Sequence, residues 1–132
     1  MDYTLEFAHG RVTMTTSRKA NVADVHRLIE ELVSDPRFTP GLPILADHIS
    51  LDTRSLTAAD ARRIGKIFVE LGDRIGRSPP AVVVSDALTF GLSRIATASA
   101  ARAPLKVALF YARDEAEEWL ARQARRRAEG DG

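Results

Sequence analysis

The sequence predicts one α/β domain built on a five-stranded mixed sheet, with an N-terminal antiparallel hairpin, later βαβ crossovers and four helices. Three observations predict this fold. Near the N-terminus, apolar and polar residues alternate on both sides of a glycine turn. After that, short apolar runs are followed by segments whose apolar residues recur at steps of three and four. The helical segments open with residue types that cap helices, so their starts are marked as well.

The clearest helix is predicted over residues 57–75. Its apolar residues fall on one face at helical spacing, and charged residues occupy the other face. Thr57 is a suitable N-cap, and Asp60 lies near the positive end of the helix. Gly76 follows the last apolar residue and marks the end. The inward face is predicted to contain Ala61, Ile64, Ile67, Phe68, Leu71 and Ile75.

The hairpin is predicted from the alternation in Tyr3–Phe7 and Arg11–Thr16. Gly10 lies between these strands and can adopt the positive φ of a tight turn. Asn21 then caps a helix that ends before Asp35. These elements form the first ββα unit.

Three more strands are predicted, at Ile44–His48, Pro80–Ser85 and Leu105–Tyr111, from their runs of apolar and β-branched residues. Asp86 caps the third helix and Asp114 opens the fourth. The third helix is predicted to face the core with Leu88, Leu92, Ile95 and Ala96. With the hairpin, these strands give the mixed sheet.

The composition suits a single globular domain, since the 132 residues are 45% hydrophobic and carry a net charge of +1. The domain is predicted to span residues 1–128, followed by a disordered tail at 129–132. Because the charge is balanced, no nucleic-acid partner is expected. No signal peptide is recognised, and no apolar run reaches the roughly 18 residues of a transmembrane segment. A cytoplasmic protein is therefore expected.

No catalytic or metal-binding pattern stands out. Asp47, His48 and Ser50 are the residue types of a nucleophilic triad, but neighbouring strand residues point to opposite faces, so Asp47 cannot orient His48. His26 has only Glu30 as a second ligand at i+4. Cysteine and the glycine-rich phosphate-binding motifs are absent from the sequence. We therefore expect no enzyme activity, no metal and no cofactor.

The densest group of hydroxyl and carboxylate residues follows the central strand. Asp52, Thr53 and Ser55 lie where a strand ends and a helix begins, a position at which α/β proteins often bind ligands or partners. Turn formation and capping are the simpler roles for these residue types. The sequence identifies Asp52, Thr53 and Ser55 as an exposed candidate interaction turn.

The sequence resembles the STAS domain family, the sulfate transporter and anti-sigma-factor antagonist domains, over almost its whole length. It is most similar to the small stand-alone bacterial STAS/SEC14-like, or sporulation antagonist-like, branch. The resemblance rests on the hairpin and on the runs DPRFTPGLPILAD, DALTFGLSRI and VALFYARDEAEEWL. It implies a STAS/SEC14-like fold. Phospho-regulated antagonists carry a motif resembling D-S-S-G-L, and the matching run DTRSL puts Thr53 in the acceptor position.

Two functions follow from this resemblance. The first is a non-enzymatic regulatory module that binds a protein partner through the candidate interaction turn, in the manner of an anti-sigma-factor antagonist. The second is the binding of a small apolar ligand or lipid, in a space left by the glycine and alanine residues of the third helix. The basic run at residues 122–127 is interpreted as a solvated helix end. An open sheet edge also offers a route to a homodimer.

Overall fold

A computed structural model of the protein describes residues 1–77, 79–103 and 106–131. Apolar alternation produces the strands, and capped amphipathic segments produce the helices. The elements in chain order are β1 (Asp2–Ala8), β2 (Arg11–Lys19), α1 (Val22–Ser34), β3 (Ile44–Asp52), α2 (Ala58–Ile75), β4 (Ala81–Val83), α3 (Ala87–Ser99), β5 (Ala108–Phe110) and α4 (Arg113–Asp131).

The five strands lie in the sheet in the same order as in the chain, β1-β2-β3-β4-β5. β1 and β2 are antiparallel, whereas each later pair of neighbours is parallel. His9 and Gly10 join the hairpin with φ angles of 56° and 72°, the combination that a type I′ turn requires. The predicted mixed sheet of a hairpin followed by βαβ crossovers is confirmed.

Helices cover the two faces of the sheet unequally. α1, α2 and α3 lie on one face, and α4 lies alone on the other. Successive side chains of β3 point to opposite faces of the sheet. Ile44 and Ala46 pack with α1 and α2. Leu45 packs on the other face, with Ala116 and Leu120 of α4. The central strand is therefore covered on both faces.

α2 begins at a capping box. The amide of Thr57 donates to the Asp60 carboxylate at 3.0 Å, and the amide of Asp60 donates to the Thr57 hydroxyl at 3.1 Å. The predicted cap and the predicted end at Ile75 are both confirmed. Farther along α2, a Cβ at Gly65 would lie 2.5 Å from the Cβ of Ser99 in α3. Gly65 therefore allows α3 to pack closely on α2.

The observed strands differ in length from the predicted ones. β3 extends to Asp52 because its last residues still pair with β2. β4 contains only Ala81–Val83, since its pairing with β5 ends there. β5 is Ala108–Phe110, and Leu105, where it was predicted to begin, lies outside the described residues. The predicted tail at 129–132 is helical as far as Asp131, and Gly132 also lies outside the described residues.

Candidate functional site

The structure places Asp52, Thr53 and Ser55 in the connection between β3 and α2. The Asp52 carboxylate accepts hydrogen bonds at 3.0 Å from the Arg54 amide and from the Arg54 guanidinium. These hydrogen bonds lower the pKa of Asp52 to about 2, and those from the guanidinium have the larger effect. Ser55 is exposed. Asp52 thus shapes the turn, and Ser55 presents its hydroxyl to solvent.

Thr53 lies differently from its two companions. The expectation of an exposed Thr53 is wrong, because this residue is only 5% exposed. Its hydroxyl is 2.7 Å from the hydroxyl of Thr89 in the first turn of α3, which is also buried. Since β3 continues to Asp52, Thr53 directly follows the strand and its side chain enters the interior. Thr53 therefore joins the interaction turn to α3.

An internal cavity lies beside this hydrogen bond, between the sheet and helices α1, α2 and α3. Its volume is about 130 Å³. Most of its wall is apolar, and among the described residues no lining side chain carries a carboxylate, ammonium or guanidinium group. Met1 also lines the cavity, and its N-terminal ammonium pairs with the Asp24 carboxylate at 3.0 Å. Apolar side chains that contribute to the wall include Met14, Leu28, Ile29, Ala46, Ile64, Phe68, Leu92 and Leu109.

Four polar side chains of the wall lie toward the end where the parallel strands finish. Thr16 and His48 lie toward the carboxyl ends of β2 and β3, and their Oγ1 and Nδ1 atoms are 2.6 Å apart. Thr53 and Thr89 form the second hydroxyl-containing pair on the wall. The wall near the start of β3 is apolar, with Ile44 among its residues. Ser93 and Thr97 of α3 also line the cavity, and the Thr97 hydroxyl donates to the Ser93 carbonyl oxygen at 2.8 Å.

His48 is neutral in this environment at physiological pH. Burial against the apolar wall lowers the pKa of His48 to about 4, and the negative charge of Asp47 opposes that shift only in part. Asp47 points to the opposite face, where its carboxylate accepts from Arg113 of α4 at 3.1 Å. The expectation that Asp47 and His48 face opposite sides of the sheet is confirmed. This arrangement does not form a triad.

His26 lies on the surface of α1, 3.4 Å from the carboxylate of Glu30. Within residues 1–77, 79–103 and 106–131, no three His, Asp or Glu side chains come together as a metal site would require. The structure therefore offers no metal centre in that part of the chain.

Sequence reasoning missed a set of exposed apolar side chains at the carboxyl edge of the sheet. Ile49 is 43% exposed, Leu88 is 47% exposed and Tyr111 is 55% exposed. Tyr111 stacks on Phe90 of α3, with ring centroids 5.1 Å apart. Leu88 precedes Thr89, so the Thr53 to Thr89 hydrogen bond places it next to the interaction turn. We call Ile49, Leu88 and Tyr111 the apolar edge patch.

Comparison with known proteins establishes the fold. No family model matches the chain, and no curated protein matches it either. Among solved structures, an uncharacterized protein of the DUF3478 family with a SpoIIAA-like fold, from Shewanella loihica PV-4, aligns with a TM-score of 0.57 and 19% identity. The alignment covers 90% of this chain and 92% of that chain. The protein therefore has the SpoIIAA-like, STAS-like α/β fold that the resemblance implied.

Across the described ranges, none of the helices is both long enough and apolar enough to span a bilayer.

Proposed function

We propose that this protein is a non-enzymatic, STAS-like domain that binds a small apolar molecule in the cavity between the sheet and helices α1 to α3. The cavity itself carries the proposal, because interiors are normally packed with few voids larger than a water molecule. Its volume is about 130 Å³. A void of this size lined by apolar side chains loses contact energy unless a ligand fills it.

The volume limits the size of the ligand. An apolar protein cavity of about 150 Å³ holds benzene, and this one measures about 130 Å³. A ring or short chain of about six carbon atoms therefore fits inside. A two-chain lipid does not, since pockets for larger ligands are typically about 300 Å³ or more.

Four polar side chains of the cavity wall are paired with one another. The hydroxyls of Thr53 and Thr89 already bond to each other, and Thr16 bonds to His48. A ligand gains most by covering the apolar wall, because these four polar side chains already bond to one another. Because the wall holds no charged side chain, an ionised group buried deep inside would be costly.

Filling the cavity from the protein side tests this function. Ala46 lines the cavity and is 2% exposed. In Ala46→Leu, the larger side chain occupies the void, so we expect octan-1-ol binding to fall at least 10-fold while the free energy of unfolding stays within about 1 kcal/mol of wild type. Calorimetric titration and denaturant unfolding measure the two quantities. Ala46→Val is the matched control, since it leaves most of the space free.

Two results would count against the proposal. If Ala46→Leu is destabilised by about 3 kcal/mol or more, the space is already filled and the leucine overpacks it. If wild-type protein shows no binding of octan-1-ol, and native mass spectrometry of protein from its own cell finds only the apo mass, the cavity has no apolar ligand.

A second function is supported by the surface above the cavity. We propose that Asp52, Thr53 and Ser55, together with the apolar edge patch, bind a protein partner. Leu88 is exposed next to the turn, through the bond between Thr53 and Thr89, and exposed apolar side chains beside polar residues are typical of an interaction site. Thr53 contributes indirectly, because its buried hydroxyl bonds to Thr89 and so fixes the turn against α3. Ser55 carries the hydroxyl that a kinase would reach from solvent.

A matched pair of substitutions tests the surface. Leu88 and Val69 are 47% and 40% exposed, but Val69 lies on α2, outside the patch. We expect Leu88→Lys to abolish capture of the partner in a cross-linked pull-down from the native cell, while Val69→Lys preserves it. Equal capture of the partner by both variants would show that the apolar edge patch does not bind it.

The remaining expectations are part of the same proposal. We propose that the domain acts in the cytoplasm without catalysis, cofactor or nucleic acid. The edge strands β1 and β5 support a proposed homodimer. Sedimentation of the purified chain over a range of concentrations distinguishes monomer from dimer.

A further inference from the structure

A surface groove lies at the outer edge of the sheet, between α3 and β5. It encloses about 430 Å³. Because β5 is the last strand of the sheet, the groove opens to the side of the molecule. It is lined by Phe90, Arg94, Thr97, Ala98, Val107 and Leu109.

The groove adjoins the internal cavity. Thr97, Val107 and Leu109 line both spaces, so these three side chains form the partition between them. α3 packs closely on α2 through Gly65. On its other side, α3 faces the short strand β5, which has only three residues. The groove and the cavity are therefore neighbours on this side of the molecule.

Arg94 gives the groove a positive charge. Its side chain lies on the wall and is exposed. Within the described part of the chain, Arg94 makes no hydrogen bond or ion pair, and no acidic side chain lines the groove. A guanidinium binds a carboxylate through two parallel hydrogen bonds. The groove thus combines a mostly apolar wall with one guanidinium group that can bind an anion.

We propose that this groove is the entrance to the cavity and that the ligand is a single-chain monocarboxylate, with its apolar chain in the cavity and its carboxylate on Arg94. This inference rests on the proposed function. The largely apolar cavity wall and the charged groove select such a molecule together, since the chain is buried among apolar side chains and the anion stays at the surface. Because about six carbon atoms fill the cavity, an acid of about eight carbon atoms is the probe that leaves its carboxylate outside.

Octanoate and octan-1-ol are matched probes for the test, since they have the same chain length and differ in charge. In Arg94→Gln, we expect octanoate affinity to fall about 10-fold and octan-1-ol affinity to stay unchanged, as measured by calorimetry at low salt. Arg62→Gln, an exposed arginine on α2, is the control and should alter neither. Wild-type affinity for octanoate should also weaken as salt is raised.

The route is tested separately. Ala98 lines the groove but not the cavity, and it is exposed. In Ala98→Leu, we expect association and dissociation of octan-1-ol to slow at least fivefold in stopped-flow measurements, with little change in the dissociation constant.

The outcomes separate the two proposals. If octan-1-ol binds but Arg94→Gln leaves octanoate affinity unchanged, the carboxylate assignment is wrong and the cavity function stands. If Ala98→Leu leaves the rates unchanged, the groove is not the entrance. If neither probe binds wild-type protein, both the proposed function and this inference fail.

Discussion

At the scale of single residues, His48 is the most perturbed titratable group of the cavity. Burial lowers the pKa of His48 from its ordinary 6.5 to about 4. The folded protein therefore resists protonation at a pH where the unfolded chain accepts a proton. The stability that depends on neutral His48 is complete above pH 6.5 and is lost as the pH falls toward 4.

We expect the free energy of unfolding to decrease between pH 6.5 and pH 4 by about 2 kcal/mol on account of His48, since one pKa unit corresponds to about 1.4 kcal/mol and the side chain is only partly open to solvent. Denaturant unfolding at several pH values measures this slope. His48→Asn should reduce it, because an amide can still bond to Thr16 but does not titrate.

The carboxylates provide an internal check on this window. The pKa values of Asp35 and Asp52 are lowered to about 2 by the hydrogen bonds from Arg37 and Arg54. Their contributions are therefore lost below pH 4, outside the range assigned to His48. If wild type and His48→Asn show the same slope between pH 6.5 and pH 4, His48 is not the group responsible.

The buried hydrogen bond between Thr53 and Thr89 gives a second test at this scale. Thr53→Val keeps the shape of the side chain but leaves the Thr89 hydroxyl without a partner, so we expect a loss of about 1–3 kcal/mol in denaturant unfolding. The double variant Thr53→Val/Thr89→Val should recover part of that loss. Exposed Ser55→Ala should change stability by less than about 0.5 kcal/mol. Additive losses in the double variant would contradict a direct bond.

Part of the cavity wall could be predicted from residue patterns. Thr16 continues the inward alternation of Val12 and Met14, and His48 continues that of Ile44 and Ala46. Their pairing could not be predicted, because it depends on a register shift between Thr15 and Ser17 of β2. Such an irregularity arises from the two strands together.

At the scale of elements, the caps were the most predictable features. Asn21, Thr57 and Asp86 all accept the expected backbone hydrogen bonds. The inward face of α3 was partly wrong, because Leu88 is exposed and Thr89 is buried instead. A threonine looks polar in a sequence, and its burial became favourable only because Thr53 from another element satisfies its hydroxyl.

Alanine substitutions at two helical glycines should change the stability of the protein in opposite directions. At Gly65, a Cβ would lie 2.6 Å from the carbonyl oxygen of Ala96, so Gly65→Ala forces α2 and α3 apart and should cost about 1–3 kcal/mol. At Gly91, a Cβ meets nothing within 4 Å, so Gly91→Ala should stabilise the protein by about 0.4–1 kcal/mol. Thermal unfolding of the two variants checks the pair. A similar effect at both positions would mean that the helix contact is looser than described.

At the scale of the whole molecule, α4 alone covers one face of the central strands. Ala116 and Leu120 pack on Leu45 and Val83, and ion pairs join Arg11 to Glu117 and Arg113 to Asp47. The second half of the helix adds little to this contact, since residues 124–130 are all exposed.

Two truncations test this division of α4. Removal of residues 124–132 should change the free energy of unfolding by less than about 1 kcal/mol, because the side chains of residues 124–130 are exposed. Removal of residues 113–132 uncovers Leu45 and Val83, and we expect the product to unfold or aggregate. Circular dichroism and light scattering distinguish these results. Equal behaviour of the two shortened proteins would show that α4 is not divided in this way.

The match between strand order and chain order also has a consequence for synthesis on the ribosome. As each strand emerges, its neighbour in the sheet has already been made, so no strand must insert between two that are already paired. We expect the N-terminal hairpin to form first, because its two strands are joined by only a two-residue turn. Assembly can therefore advance in one direction along the nascent polypeptide, with α4 closing the remaining face last.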